Sequence, residues 1–180
     1  MRHALAPLHW VVAAAFCVAD LAAAWGAEPG AHISAQVPKA SLVGQGRFTY
    51  FGFHVYDGAL FAPSGKYAGD APFALELTYA RDLKGAKIAE RSIDEIAALG
   101  IGTPAERSAW LPILTRLFPD VRQNDRIAGI ALGERALFYV NGKPAGEIND
   151  GTLARAFFAI WLDSRTSAPA FRRKLLGLDK

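Results

Sequence analysis

The strongest constraint on the fold is a series of strand-like segments separated by turns too short to hold a helix. In the clearest case, residues 135–140 and 145–148 are strand-like and Asn141-Gly142 lies between them. Asn-Gly suits the left-handed backbone of a tight hairpin turn. Strands joined this closely pair antiparallel, because a parallel pair needs a crossover of about a dozen residues or more. The sequence therefore predicts an antiparallel sheet.

Further strands are predicted upstream of this hairpin. Aromatic and β-branched residues dominate residues 47–56, and apolar residues alternate along residues 73–80. Gly44-Gln45-Gly46 and Asp57-Gly58 have the composition of turns, so both are predicted to separate short strands. The remaining predicted strands are residues 42–43, 59–61 and 126–132.

Helices are predicted between and after these strands. Apolar residues recur at three- and four-residue steps over residues 84–99, the period of an amphipathic helix. Thr103, Pro104 and Glu106 supply the cap, first-turn proline and carboxylate that begin a second helix. Two more helices are predicted over residues 150–162 and near the end of the chain. The predicted fold class is α+β, an antiparallel sheet covered on one face by a layer of helices.

The N-terminus has the charged, apolar and small-residue order of a cleavable signal peptide over residues 1–27. Its apolar run, residues 8–18, is shorter than the roughly 20 residues of a membrane-spanning helix. A retained anchor and a lipidated Cys17 are therefore the weaker alternatives. The mature protein is expected to be periplasmic or secreted, without a stable membrane span. Residues 28–39 are predicted as an exposed leader and residues 40–180 as one domain.

Several functional classes lack support in the sequence. The formal net charge of +3 is interspersed along the chain, so no nucleic-acid partner is expected. His32 and His54 are the two histidines outside the signal peptide, and their separation does not suit a metal site. Gly44-Gln45-Gly46 lacks the third glycine of a dinucleotide loop, and no serine-hydrolase elbow is present. No metal or cofactor is therefore expected.

Aromatic side chains are the most distinctive chemical group of the chain, and most of them are expected in the core. Arg47, Tyr56, Tyr79 and Trp110 also carry polar atoms that need partners if the side chains are buried. A pocket with one cation and a few phenolic groups suits an acidic or carbonyl-bearing apolar ligand. These four residues are the candidate ligand-binding residues, and structural packing remains the alternative for each.

The order of several segments points to one family. These segments are residues 44–61, 73–81, 118–121, 138–142, 157–163 and 175–177. Taken together, they resemble the bacterial chalcone isomerase-like family over nearly the whole mature chain. The resemblance implies an antiparallel sheet backed by a layer of helices, in agreement with the strand and helix patterns.

The resemblance also implies a range of functions, because the family contains plant enzymes that cyclise chalcones, plant relatives that bind fatty acids, and exported bacterial proteins. The enzymes carry active-site threonines at positions that correspond to Phe51 and Ile160, so both hydroxyls are missing here. The enzymes also use an arginine to stabilise the developing enolate. Arg47 is the nearest candidate for that role, although it lies closer to Val55-Tyr56 than the enzymes' arginine does.

These features favour an exported protein without chalcone isomerase activity that binds a small apolar ligand, such as a fatty acid or an aromatic acid. Arg47 would pair with the ligand's carboxylate, while Tyr56 and Tyr79 would orient it. One alternative is an isomerase or intramolecular lyase of unknown substrate, with Arg47 as the electrophilic group. The other is an interaction module of the cell envelope.

Overall fold

A computed structural model describes residues 27–179, so the predicted signal peptide lies outside the described residues except for Ala27. No helix within residues 27–179 is long and apolar enough to cross a membrane. The elements, in chain order, are α1 (Ala31–Ser34), β1 (Ala40–Tyr50), β2 (Phe53–Pro63), β3 (Phe73–Tyr79), α2 (Gly85–Ala98), α3 (Pro104–Leu117), β4 (Arg126–Ala131), β5 (Ala136–Val140), β6 (Lys143–Ile148), α4 (Gly151–Leu162) and α5 (Pro169–Leu175).

The six strands form one antiparallel sheet in the order β1-β2-β3-β4-β5-β6. Helices α2 to α5 pack on one face, which we call the inner face, and contribute with it to the larger apolar core. The other face, which we call the outer face, carries a smaller apolar cluster. The predicted α+β fold class, an antiparallel sheet with its helical layer on one face, is confirmed.

The hairpin turns lie where the backbone becomes left-handed. Asn141 and Gly142 have φ angles of 51° and 77° between β5 and β6, as the sequence predicts. The turn between β1 and β2 is formed by Phe51 and Gly52, with φ angles of 47° and 81°. The predicted turn at Gly44-Gln45-Gly46 is wrong, because β1 runs through these residues without a break.

The strand glycines have a packing role that explains this error. A Cβ atom added to Gly44 would lie 2.2 Å from the Lys174 carbonyl oxygen, and one added to Gly58 would lie 2.6 Å from the Phe171 ring. Glycine therefore allows α5 to approach β1 and β2 closely. The predicted turn at Asp57-Gly58 is wrong for the same reason, since β2 continues through it.

Capping side chains fix the starts of two helices. The Thr103 hydroxyl accepts a hydrogen bond from the Glu106 amide at 3.2 Å, and the Glu106 carboxylate accepts one from the Thr103 amide at 2.6 Å. This reciprocal capping box confirms the predicted start of α3. The Asp150 carboxylate caps α4 by accepting hydrogen bonds from the amides of Thr152 and Leu153, at 2.8 and 3.0 Å.

The inner core is held mainly by aromatic side chains of α4 and the sheet. Phe157 packs edge-on against Phe138 and Trp161, with ring centroids 5.1 and 5.2 Å apart, and Phe158 meets Phe73 at 4.9 Å. Edge-to-face rings at this spacing contribute about 0.5–1.5 kcal/mol per pair beyond their buried area. Aromatic rings therefore fill the space between α4 and strands β3 and β5.

The outer face is covered by the segment predicted as an exposed leader, so that prediction is wrong. Residues 28–39 contain α1, and Ile33 and Val37 are fully buried against Phe61 and Ile130 of the sheet's outer cluster. The two apolar residues are only four apart in a short stretch, which is too little periodicity for a sequence pattern to reveal. Their burial makes residues 31–37 part of the folded domain.

Candidate functional site

A cleft of about 280 Å³ opens between the β1-β2-β3 end of the inner face and helices α2 and α4. Helix α2 follows β3 and contributes one wall of the cleft, whereas the aromatic rings of α4 pack against β3 and β5. The floor of the cleft is mainly apolar. Its principal side chains are Phe48, Val55, Tyr56, Tyr79, Ile160 and Trp161.

Strand register brings the aromatic floor together. Phe48 pairs with Tyr56 across β1 and β2, and Tyr56 pairs with Tyr79 across β2 and β3, so the three side chains share the inner face. The Phe48 and Tyr56 rings stack with centroids 4.8 Å apart, and the Tyr79 ring meets Tyr56 edge-on at 5.9 Å. The floor is therefore a continuous aromatic surface.

Two tyrosine hydroxyls lie in this apolar floor. The Trp161 indole nitrogen donates a hydrogen bond to the Tyr56 hydroxyl at 2.9 Å. The Tyr79 hydroxyl makes no hydrogen bond to any residue in the part of the chain that the structure describes. Burial raises the pKa of Tyr56 and of Tyr79 well above the ordinary tyrosine range. Both phenols are neutral at physiological pH and can donate a hydrogen bond.

The mouth of the cleft is charged. Arg91 pairs with Glu95 one turn later in α2, and the Ser167 hydroxyl donates to Glu95 at 2.7 Å. The Arg91 guanidinium lies 5.0 Å from the Tyr50 ring centroid, within cation–π range. Arg81 also lines the mouth and makes no ion pair with any acidic group within residues 27–179. The mouth thus presents cations beside an apolar floor.

The structure places Tyr56 and Tyr79 in the cleft but excludes Arg47, so the assignment of Arg47 to the pocket is wrong. Neighbouring residues of a strand point to opposite faces, and Arg47 adjoins Phe48 of the floor. The Arg47 side chain is 56% exposed on the outer face, where its Nε lies 3.2 Å from Asp57 Oδ1. Arg47 is therefore not placed to pair with a ligand or to polarise a carbonyl in this cleft.

Trp110 is also outside the cleft. Its side chain is buried in the inner core, and its indole nitrogen donates to Asp150 Oδ2 at 3.2 Å. The bond joins α3 to the cap of α4, which satisfies the indole without a ligand. The structural alternative therefore applies to Trp110, and its assignment as a ligand-binding residue is wrong.

The two positions that the resemblance matches to enzyme threonines have different locations. Ile160 lines the cleft, so a buried methyl-bearing side chain replaces a hydroxyl there. Phe51 lies at the β1-β2 turn and is 83% exposed, outside the cleft. The cleft consequently lacks the hydroxyl at Ile160 that the chalcone-cyclising enzymes carry.

Sequence reasoning missed the polar residues of the mouth. Arg91, Ser92 and Glu95 lie on the predicted helix 84–99, one or two turns from Ile88, which also lines the cleft. Residues three and four apart share a helix face, so this spacing was the available indication. Arg81 follows the end of β3, only two residues beyond Tyr79.

Comparison with known proteins identifies the family. A family model described as chalcone isomerase-like matches residues 26–177. The chain belongs to the chalcone isomerase-like family. An uncharacterized protein of Haemophilus influenzae is 30% identical over 139 residues, which are 77% of this chain and 68% of that protein.

A solved structure agrees with this chalcone isomerase-like assignment. The crystal structure of an Arabidopsis thaliana fatty-acid binding protein is similar with a TM-score of 0.62 and 16% sequence identity. The match covers 77% of this chain and 87% of that one. At this identity the likeness shows a shared fold, and the resemblance drawn from the sequence segments is confirmed.

Proposed function

We propose that this protein binds a small apolar carboxylic acid, such as a fatty acid or an aromatic acid, in the cleft. The observation that carries the proposal is an aromatic floor that opens to a mouth with cationic side chains. An apolar surface with a few polar groups at one end is the usual composition of a small-molecule site. The structural likeness to a protein titled fatty-acid binding supports the same ligand class.

The cleft's size sets the portion of ligand that it accommodates. A volume of about 280 Å³ lies at the lower end of the range for small-molecule pockets, roughly 300–1,000 Å³. A single aromatic ring or a short acyl chain fits this volume, and a longer chain would extend through the mouth. Each buried methylene contributes about 0.8 kcal/mol, so the apolar part supplies most of the affinity.

The carboxylate is assigned to the mouth. Arg91 is held in place by Glu95 and Tyr50, and its guanidinium has five N–H donors, more than one ion pair uses. Arg81 is a second cation without an acidic partner among the described residues. The neutral Tyr79 hydroxyl is a further donor. Arg91, Arg81 and Tyr79 would therefore bind the ligand's carboxylate, which the sequence analysis assigned to Arg47.

We also propose that the protein acts outside the cytoplasm and without isomerase activity. Support for export comes from the signal-like order of residues 1–27, and N-terminal sequencing of protein recovered from a periplasmic or secreted fraction tests it. Support for the lack of isomerase activity comes from Ile160 in the floor and Arg47 on the outer face. Turnover of a panel of unsaturated ketones above solvent background would contradict it.

Native mass spectrometry and titration with a fluorescent fatty acid test ligand binding. Ile88→Trp places an indole in the cleft, whereas Ile93→Trp changes a partly buried residue of the same helix that does not line it. We expect the wild type and Ile93→Trp to bind one ligand per chain and Ile88→Trp to bind at least about tenfold more weakly. Equal binding by the two variants, or an empty wild type, would contradict the proposal.

A further inference from the structure

The turn between β1 and β2 exposes aromatic side chains to an unusual degree. Tyr50, Phe51 and Phe53 are 46%, 83% and 65% exposed, and we call residues 50–53 the aromatic tip. Leu178 is the other large apolar side chain with comparable exposure among residues 27–179. Single exposed apolar residues are ordinary, but three within four positions form a patch that marks an interaction site.

The backbone conformation of the aromatic tip is one that phenylalanine does not favour. Phe51 has a φ of 47°, a left-handed conformation that is costly for a bulky side chain. The hairpin between β5 and β6 has the same left-handed pair of φ angles and uses Asn141-Gly142, the residues that suit it. Phe51 therefore adds conformational cost and exposed apolar area where asparagine would give a better turn.

Cations border the aromatic tip. The Arg81 guanidinium lies 5.7 Å from the Phe53 ring centroid, and that of Arg91 lies 5.0 Å from Tyr50. Exposed aromatic rings flanked by arginines match the interface of an anionic bilayer, where rings enter the headgroup region and cations meet lipid phosphates. Arg81 makes no ion pair with an acidic group within residues 27–179, so its guanidinium is available to a lipid phosphate.

The aromatic tip adjoins the cleft. Tyr50, Arg81 and Arg91 belong both to the surroundings of the aromatic tip and to the lining of the mouth. We propose that the aromatic tip docks on an anionic lipid bilayer and holds the mouth of the cleft at the membrane surface. An apolar acid then passes between bilayer and cleft with little exposure to water. The docking stands on the aromatic tip alone, and this transfer rests on the proposed function.

Vesicle sedimentation tests the docking with a chain that begins at Ala27 and contains every described element. We expect binding to phosphatidylglycerol–phosphatidylcholine vesicles, weaker binding to pure phosphatidylcholine, and a decrease with added salt. Phe51→Ser/Phe53→Ser should weaken binding roughly tenfold per phenylalanine. Leu178→Ser, at the other end of β1, is the matched control and should bind as the wild type does. A wild type that stays in solution, or a double variant that sediments equally, overturns the proposal.

A second variant measures insertion directly. Phe53→Trp places an indole in the aromatic tip, and lipids brominated in their acyl chains should quench its added fluorescence when anionic vesicles are present. Quenching no greater than that of the wild-type tryptophans would overturn the docking, whatever the stability of the double serine variant.

Failure of the docking and failure of the proposed function give different results. Without vesicles, Phe51→Ser/Phe53→Ser should bind a fluorescent fatty acid as the wild type does, while Ile88→Trp should bind it at least about tenfold more weakly. With vesicles, Ile88→Trp should still sediment. If both variants lose vesicle binding, docking through the aromatic tip is overturned. If neither variant loses fatty-acid binding, the cleft assignment is overturned and the docking is not.

Discussion

The inner and outer faces of the sheet are built by alternate residues of the same strands, yet they differ in how far their apolar surface is covered. On the outer face, α1 covers the apolar cluster with Ile33 and Val37. On the inner face, α4 packs aromatic rings against β3 and β5, while the cleft is left open at the β1-β2-β3 end. A covered apolar surface contributes stability, whereas the uncovered inner end is the surface available to a ligand.

The charged groups differ in the same way. On the outer face, the buried Glu76 carboxylate lies 3.7 Å from Arg126 Nη1 and 3.7 Å from His32 Nε2, so it has a cationic partner, Arg126, within the fold. At the mouth of the inner cleft, Arg81 has no acidic partner among the described residues. The comparison predicts that outer-face substitutions change stability alone, while inner-face substitutions at the cleft also change ligand affinity.

The largest expected effect on stability is at the outer-face helix. Ile33→Ala removes a fully buried side chain and should lower the free energy of unfolding by about 2–5 kcal/mol. Urea denaturation measures this loss, and fatty-acid affinity at low denaturant should not change. A stability equal to the wild type would show that α1 does not cover the outer face as described.

A smaller loss of stability is expected when Trp161 is replaced, and Trp110 provides a matched replacement outside the cleft. Trp161→Phe leaves the Tyr56 hydroxyl without its donor and should cost about 1–3 kcal/mol of stability and weaken ligand binding severalfold. Trp110→Phe is the matched change outside the cleft, since its partner Asp150 is an exposed carboxylate that water can solvate. If Trp110→Phe lost ligand affinity, or Trp161→Phe did not, the distinction between core and cleft would be contradicted.

Local sequence chemistry predicted much of the fold. Asn141-Gly142 requires no tertiary context to favour a turn, and Thr103 with Glu106 caps α3 through contacts only three residues apart. The glycines at 44 and 58 were misinterpreted because their reason is the approach of α5, more than a hundred residues later in the chain. Composition alone does not distinguish a turn glycine from a glycine required by close packing.

The candidate site was predicted only in part. The aromatic stretch correctly drew attention to Tyr56, whereas Arg47 was taken as its companion although one strand position separates it from the floor residue Phe48. A one-residue step changes the face of a strand, and the pairing of β1 with β2 contains two register shifts that hide this alternation. Arg91 reaches the cleft from a helix, so only the packing of α2 on the sheet could place it there.

The smallest expected effect is a pH dependence at the outer face. Burial lowers the pKa of His32, with the nearby Glu76 opposing this shift and Arg126 adding to it. The folded state therefore binds the proton less readily than the unfolded chain, and stability falls as the pH drops through about 6.5. His32→Gln should reduce this loss between about pH 7 and pH 5 in urea denaturation. An unchanged pH profile would exclude His32 as its source.

Fatty-acid titration of Arg91→Ala beside Arg47→Ala is the most direct test of the assigned cleft. Both arginines are more than half exposed and paired with a carboxylate, but only Arg91 lines the cleft. We expect Arg91→Ala to bind the acid roughly tenfold more weakly and to lose little affinity for the uncharged methyl ester. Arg47→Ala should bind both as the wild type does. Weaker acid binding by Arg47→Ala with an unchanged Arg91→Ala would contradict the account.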